Sequence, residues 1–91
     1  MQITRSHSLT KKEALTRMRS LVAALQRKHG LRVSWEDDRA HIEGTVSIVS
    51  FSATLVVTGD QVRLDASDPG WLVRDRVKRY LGDRIEESLG R

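Results

Sequence analysis

Hydrophobic residues recur at intervals of three and four along two stretches of the chain, which predicts two amphipathic helices. The apolar positions of the first stretch are Ala14, Leu15, Met18, Leu21, Val22 and Leu25. In the second stretch, where Tyr80 widens the first half, they are Val73, Val77, Leu81, Ile85 and Leu89. Each helix therefore has one side that needs to be covered by a core.

Residues at the ends of both stretches favour helix starts and stops. Thr10 and Glu13 have the spacing of a capping box at the start of the first helix. Gly30 follows two basic residues, which predicts a left-handed stop. Asp68 before Pro69 predicts that the second helix begins there, with the aspartate as N-cap and the proline at the first helical position.

Apolar and polar residues alternate elsewhere, which predicts the strands of an antiparallel sheet. The alternating stretches lie at 3–8, 31–36, 40–44 and 62–66, with turns at 36–39 and 58–60. In the stretch 46–57, the apolar residues change from even to odd positions, and a one-residue slip exchanges the two faces of a strand. Either a bulge or a bend between two strands is therefore expected near Val49-Ser50.

These elements predict a single α+β domain over residues 1–91, in the order β-α-β-β-(β)-β-α. Short connections favour an antiparallel sheet of four to five strands with both amphipathic helices on one face. A core this small is often extended by dimerisation. Because Val46, Ile48 and Val56 are expected on the second sheet face, we predict a homodimer through that face.

Composition excludes several classes of protein. Hydrophobic residues make up 38% and charged residues 31% of the 91, which is typical of a globular domain. No apolar run approaches the roughly 20 residues of a transmembrane helix, and the N-terminal residues do not resemble a secretory leader. The absence of cysteine excludes disulfides and thiolate chemistry. The expected location is the cytoplasm.

The net charge of +4 is unevenly distributed. Residues 1–30 carry +6, residues 31–68 carry −4 and residues 69–91 carry +2. The helical parts are thus basic and the middle is acidic. Two interpretations are open: solvated faces of opposite sign that favour self-association, or a basic helix face that binds an anionic partner.

No residue pattern indicates catalysis, a metal or a cofactor. The three histidines, His7, His29 and His41, have no partner at a spacing typical of metal ligands. The only carboxylate cluster, 36–38, falls in a turn, whereas acid–base pairs usually come from separate elements. We therefore expect a protein that is not an enzyme and that has no catalytic, metal or cofactor-binding residues.

Basic and apolar residues on the helices are the candidates for contacting a partner. Lys12 and Arg19 lie opposite the apolar side of the first helix, and Trp71, Leu72 and Arg76 lie at the start of the second. Exposed aromatic and aliphatic side chains beside basic residues can bind a protein or an apolar surface. An alternative is RNA or ribosome binding, because the element order resembles the ribosome-hibernation factor domain and the double-stranded RNA-binding domain.

Three short motifs follow one another along the chain: Ile3-x-Arg5-x-His7-Ser8-Leu9 at the start, Gly30-Leu31 after the first helix, and Trp35-Glu36-x-Asp38. Together they resemble the polyhydroxyalkanoic acid system family. The hairpin Leu55 to Leu64 and the C-terminal helix follow in the same order. The family tends to have glycine where Asp37 stands, and the entry to the last helix, 68–72, is more polar here.

The resemblance implies an accessory protein of polyester storage granules that has no enzymatic activity. It implies binding to the granule surface or to a granule protein, and it transfers no catalytic residues. Arg5 and His7 become candidate partner-binding residues through the motif. The alternative for both is that they fasten the first strand to its neighbours.

Overall fold

The computed structural model describes residues 1–46, 48–70 and 72–90, and only the backbone of Val46. Its elements, in chain order, are β1 Gln2–Ser6, α1 Lys11–His29, β2 Arg32–Glu36, β3 Arg39–Val46, β4 Val49–Val57, β5 Gln61–Ala66 and α2 Arg74–Ser88. The predicted α+β class and element order are confirmed, with five strands.

The five strands form one antiparallel sheet in the order β1-β5-β4-β3-β2. β2 to β5 make a meander of neighbouring hairpins, and β1 joins it by pairing with β5, so that Ile3 lies opposite Leu64. This arrangement leaves β1 and β2 as the two edge strands. α1 packs on β2, β3 and β4, whereas α2 packs on β1 and on α1.

The core lies between the helices and one face of the sheet. Alternate residues of the strands point into it, including Ile3, Ala40, Leu55, Val57 and Val62, none more than 2% exposed. Helix α1 contributes its predicted apolar side, with Ala14, Met18, Leu21 and Val22 buried, and α2 contributes Ile85 and Leu89. The amphipathic pattern in the sequence therefore describes the core correctly.

Both ends of α1 are as predicted. The Thr10 hydroxyl accepts a hydrogen bond of 3.1 Å from the Glu13 amide. Gly30 adopts the left-handed conformation, with φ 67° and ψ 36°. The amides of Gly30 and Leu31 both donate to the Gln26 carbonyl, which satisfies an acceptor that the helix leaves free.

The predicted start of α2 at Asp68 is wrong. The helix begins at Arg74, after a turn in which Gly70 has φ +107°. The Asp68 carboxylate accepts from the Gly70 amide at 2.9 Å and from Arg74 Nε at 3.2 Å. Hydrogen bonds from Arg74 and Gly70 lower the pKa of Asp68. An aspartate that engages its own backbone two residues on makes a turn, not a cap.

The change of phase in the stretch 46–57 has its origin in a chain reversal. β3 ends at Val46 and β4 begins at Val49, and these two residues pair. The bend between two strands is therefore the correct alternative, and it falls two residues earlier than the sequence indicates. Ile48 lies in this turn and is 94% exposed, so its predicted place on the second sheet face is wrong.

The second sheet face is mostly polar where the structure describes it. Serine, threonine and paired charged side chains cover it, with ion pairs between Arg32 and Glu43 and between Arg63 and Asp65. Val56 is its half-buried apolar residue, while the side chain of Val46 lies outside the described residues. The homodimer through this face stays a prediction, with one described apolar residue to support it.

The turn between β2 and β3 places a non-glycine residue in the left-handed region. Asp37 has φ 55°, in the left-handed region that aspartate tolerates better than most residues. Arg19 donates to the Asp37 carbonyl at 3.3 Å. Lys11 forms an ion pair of 2.8 Å with Asp38. Both ties fasten the turn to α1.

The ion pair at this turn predicts an acid-sensitive contact. The hydrogen bond and charge of Lys11 lower the pKa of Asp38. Because this pKa is lower in the folded than in the unfolded chain, the pair stabilises above the ordinary aspartate pKa, and the stabilisation is lost as pH falls through the lowered value. NMR titration of Asp38 should show the low pKa in the wild type and in Lys12→Met. An equally low pKa in Lys11→Met would contradict it.

Candidate binding surface

His7 fastens β1 to the β4–β5 hairpin. Its Nδ1 accepts from the Leu9 amide at 3.1 Å, so the ring hydrogen is on Nε2, which donates to the Thr58 carbonyl at 3.0 Å. The His7 amide also donates to the Asp60 carbonyl. Both ring nitrogens are therefore engaged within the protein. The structure favours the fastening role over a partner contact for this residue.

Arg5 is packed between β1 and α2. It lies on the core side of the sheet and is half-buried, and its guanidinium occupies the space beside Gly82 that any side chain there would fill. Its Nη1 donates to the Thr4 carbonyl at 2.9 Å. The contact with Gly82 and the bond to Thr4 show that part of the Arg5 guanidinium is engaged within the protein.

The two candidates on α1 lie in different settings. The guanidinium of Arg19 lies 4.8 Å from the centre of the Trp35 ring, in a cation–π contact, and it also holds the β2–β3 turn. Lys12 is exposed, and no carboxylate among the described residues pairs with it. Of the two, Lys12 is the one whose charge is free for solvent or a partner.

The start of α2 presents the most accessible candidates. Leu72 is 77% exposed, and Arg76 is exposed one helical turn further on. Arg79 and Tyr80 follow Arg76 by three and four residues, so they lie beside it on the same exposed side of α2. Trp71 lies outside the described residues. We call the group Leu72, Arg76, Arg79 and Tyr80 the α2 entry face.

The C-terminal end of α1 adds positive charge to the α2 entry face. The helices run antiparallel, since Arg17 of α1 lies near Ser88 at one end and Lys28 near Tyr80 at the other. The Lys28 ammonium lies 6.0 Å from the centre of the Tyr80 ring, and Tyr80 is 41% exposed. Basic residues of both helices thus gather at one end of the helix layer.

A second exposed apolar residue lies at the same end of the molecule. Ala66 pairs with Ala53, and the Ser67 amide donates to the Ser52 carbonyl at 2.8 Å, so β5 leaves the sheet at the end where β3 turns into β4. Ile48 is in that turn. The two most exposed large apolar side chains among the described residues, Ile48 and Leu72, therefore share one end of the fold.

Two depressions of the described surface are open to solvent. One, of about 400 Å³, lies beside the β3–β4 hairpin and includes Arg32 and Glu43, which pair with each other. The other, of about 410 Å³, follows the groove between the helices and includes Arg17 and Arg84. Neither includes His7 or His41.

Two further features bear on the kind of site. Among residues 1–46, 48–70 and 72–90, no three metal-ligating side chains gather closely enough to hold an ion. In the same residues, neither helix is both long and apolar enough to span a membrane.

The fold and the surface together define a small α+β domain, one end of which carries exposed apolar and basic side chains. A family model described as "Putative polyhydroxyalkanoic acid system protein" matches residues 1–91. The chain belongs to this family, which confirms the resemblance seen in the motifs. Neither a curated protein nor a solved structure matches the chain significantly.

Tyr80 and Ile48 belong to this end of the molecule, although the sequence pattern places Tyr80 on the apolar side of α2 and Ile48 on a strand. Only the antiparallel packing of the helices brings Lys28 to Tyr80. No observation favours the RNA-binding alternative, which stays a prediction from element order.

Proposed function

We propose that the chain is a non-enzymatic accessory protein of polyhydroxyalkanoate storage granules that binds the polyester surface. The observation that carries the proposal is the exposure of Leu72, in the basic α2 entry face, and of Ile48 at the same end of the fold. Membership of the family provides the setting. The same setting implies a cytoplasmic location, as the sequence does.

The chemistry of a polyester supports this choice of partner. Its surface offers ester carbonyls, which only accept hydrogen bonds, and alkyl groups, which favour apolar contact. The α2 entry face offers donors in Arg76, Arg79 and the Tyr80 hydroxyl, and an apolar anchor in Leu72. Solvated arginines beside an apolar anchor also suit a surface at which apolar material meets water.

We expect Leu72→Ser to weaken adsorption to protein-free polyhydroxybutyrate particles roughly 10- to 150-fold, because an exposed leucine contributes roughly 1.5–3 kcal/mol when it becomes covered. Ile48→Ser should weaken it in the same direction. Co-sedimentation at fixed particle area measures the effect. The matched control is Val56→Ser, which removes an apolar side chain from the polar sheet face and should leave adsorption unchanged.

Charge reversal at the two ends of the helix layer tests the orientation of binding. Arg76→Glu and Lys12→Glu change the net charge equally, and both side chains are exposed. We expect only Arg76→Glu to reduce adsorption. Equal losses in both variants would show attraction to net charge instead of a defined face. Wild-type protein that stays in the supernatant would overturn surface binding, and capture by a granule protein would then be tested.

A further inference from the structure

The edge strand β2 has backbone groups without partners in the described structure. The Val57 amide donates to the carbonyl of Asp38, which precedes β3. Every second residue from there, namely Ala40, Ile42 and Gly44, therefore bonds to β4. The residues between them, Arg39, His41 and Glu43, bond to β2. Because bonding alternates along a strand, Val33 and Trp35 turn their N–H and C=O groups away from β3, towards the free edge.

At the other edge of the sheet, one outward acceptor is covered by a charged side chain. Met1 and Ala66 exchange two hydrogen bonds of 2.8 Å. Because bonding alternates along the strand, Ile3 and Arg5 also bond to β5, whereas the backbone groups of Thr4 point away from the sheet. The Arg5 guanidinium donates to this outward Thr4 carbonyl. Charged side chains are a common protection of edge strands. In the described residues, no such hydrogen bond reaches the outward groups of Val33 and Trp35.

The sequence of β2 is self-complementary in antiparallel pairing. When Val33 of one copy lies opposite Trp35 of another, with Ser34 at the two-fold axis, the free backbone N–H and C=O groups of both residues can bond across the interface. In this register Arg32 of each copy lies opposite Glu36 of the other, giving two attractive charge pairs on the polar face. Shifting the register by two residues in either direction removes both pairs.

The helices leave room for such an arrangement. Since α1 packs on β2, β3 and β4, its axis lies above β3, one strand in from the edge. With strands about 4.8 Å apart, the two α1 axes of a dimer lie roughly 14 Å from each other. Packed helices need 8–10 Å. On the core side, Val33 and Trp35 are half-buried, and the pairing would cover more of both.

We propose that two copies of this chain associate through their β2 edges, in the register centred on Ser34, to form a continuous ten-stranded sheet. The interface consists of backbone hydrogen bonds from Val33 and Trp35, with the Arg32–Glu36 pairs as the source of register. It is independent of granule binding and is tested without polyester. It uses the edge of the sheet, whereas the sequence predicts the face.

Two opposite charge reversals test the register. In Arg32→Glu alone, or in Glu36→Arg alone, both inter-chain pairs become repulsive, and the dissociation constant should rise roughly 10- to 100-fold. In an equimolar mixture of the two variants, both pairs are attractive again. Sedimentation at concentrations up to about 200 µM should show dimeric wild type, monomeric single variants and a dimer in the mixture. Circular dichroism checks that each variant is folded.

A cysteine placed at the two-fold axis tests the geometry. The chain has no cysteine, so Ser34→Cys introduces one thiol, opposite its symmetry mate at the Cα separation of about 4.5 Å of a non-hydrogen-bonded pair. Disulfides accept this separation. Mild oxidation should cross-link Ser34→Cys and leave Ser52→Cys, on the central strand β4, without a cross-link.

Three outcomes would overturn the proposal. The first is wild-type protein that sediments at the monomer mass of 10.3 kDa at every concentration. The second is a mixture of charge variants that associates no better than its components. The third is cross-linking of Ser52→Cys in place of Ser34→Cys, which indicates a dimer through the sheet face. Lys12→Glu, which changes the charge as Arg32→Glu does, should remain dimeric.

Discussion

Leu55→Ala should lower the free energy of unfolding by about 3 kcal/mol. Leu55 is 2% exposed in the middle of the central strand β4, opposite Leu64 of β5 and Ala40 of β3. Truncation removes apolar contacts with both neighbours and leaves a cavity that rigid strands cannot close. A domain of this length has a total stability of about 5–14 kcal/mol, so the loss is a large fraction.

Thermal unfolding followed by circular dichroism measures this loss, and the midpoint should fall by roughly 12–24 °C. The control is the next residue, Val56, which points to the opposite, polar face and is half-buried. Val56→Ala should cost less than about 1 kcal/mol. Equal losses at the two positions would contradict the register of β4 after the turn at Ile48.

His7→Ala should lower the free energy of unfolding by about 2 kcal/mol, although the residue lies near the chain terminus. The substitution leaves the Thr58 carbonyl and the Leu9 amide without the partners they have in the folded protein. Unpaired groups of this kind cost about 1–3 kcal/mol when partly buried. Chemical denaturation measures the effect, and hydrogen exchange should show faster opening of β1.

Two further variants separate this fastening role from other roles of a histidine. His7→Asn retains an acceptor for the Leu9 amide but is too short to reach Thr58, so its loss should be intermediate. His41→Ala removes an exposed histidine from the polar sheet face and should have little effect on stability. If His7→Ala remains as stable as the wild type and loses only particle adsorption, the motif serves a partner.

The sequence predicts those features of the fold that depend on residues close together along the chain. The cap at Thr10, the stop at Gly30 and the apolar sides of both helices follow from residues within a few positions of each other. The start of α2 is an instructive error, because Asp68-Pro69 is typical of a helix start. Gly70, with its positive φ, and the charge of Arg74 together redirect that aspartate into a turn.

The candidate site depended on information that local patterns do not contain. The residues around them are enough to predict Leu72 and Arg76 as candidates. That Ile48 lies at the same end of the fold, and that β2 is an edge strand, both follow from strand order. A pairing between β1 and β5 cannot be deduced from alternation, which is the same for any partner strand.

The place of β1 in the sheet has a consequence for folding during synthesis. Met1 and Ala66 pair across 65 positions of sequence, so the first strand made must wait for the last strand before it can enter the sheet. The hairpins from β2 to β5 close over short loops and can form early, whereas closing this long loop is slow. Until β1 arrives, the open edge of β5 can accept the first strand of another chain. Nascent chains on one polysome are therefore at risk of exchanging β1, and a slower-folding variant should show this as swapped dimers.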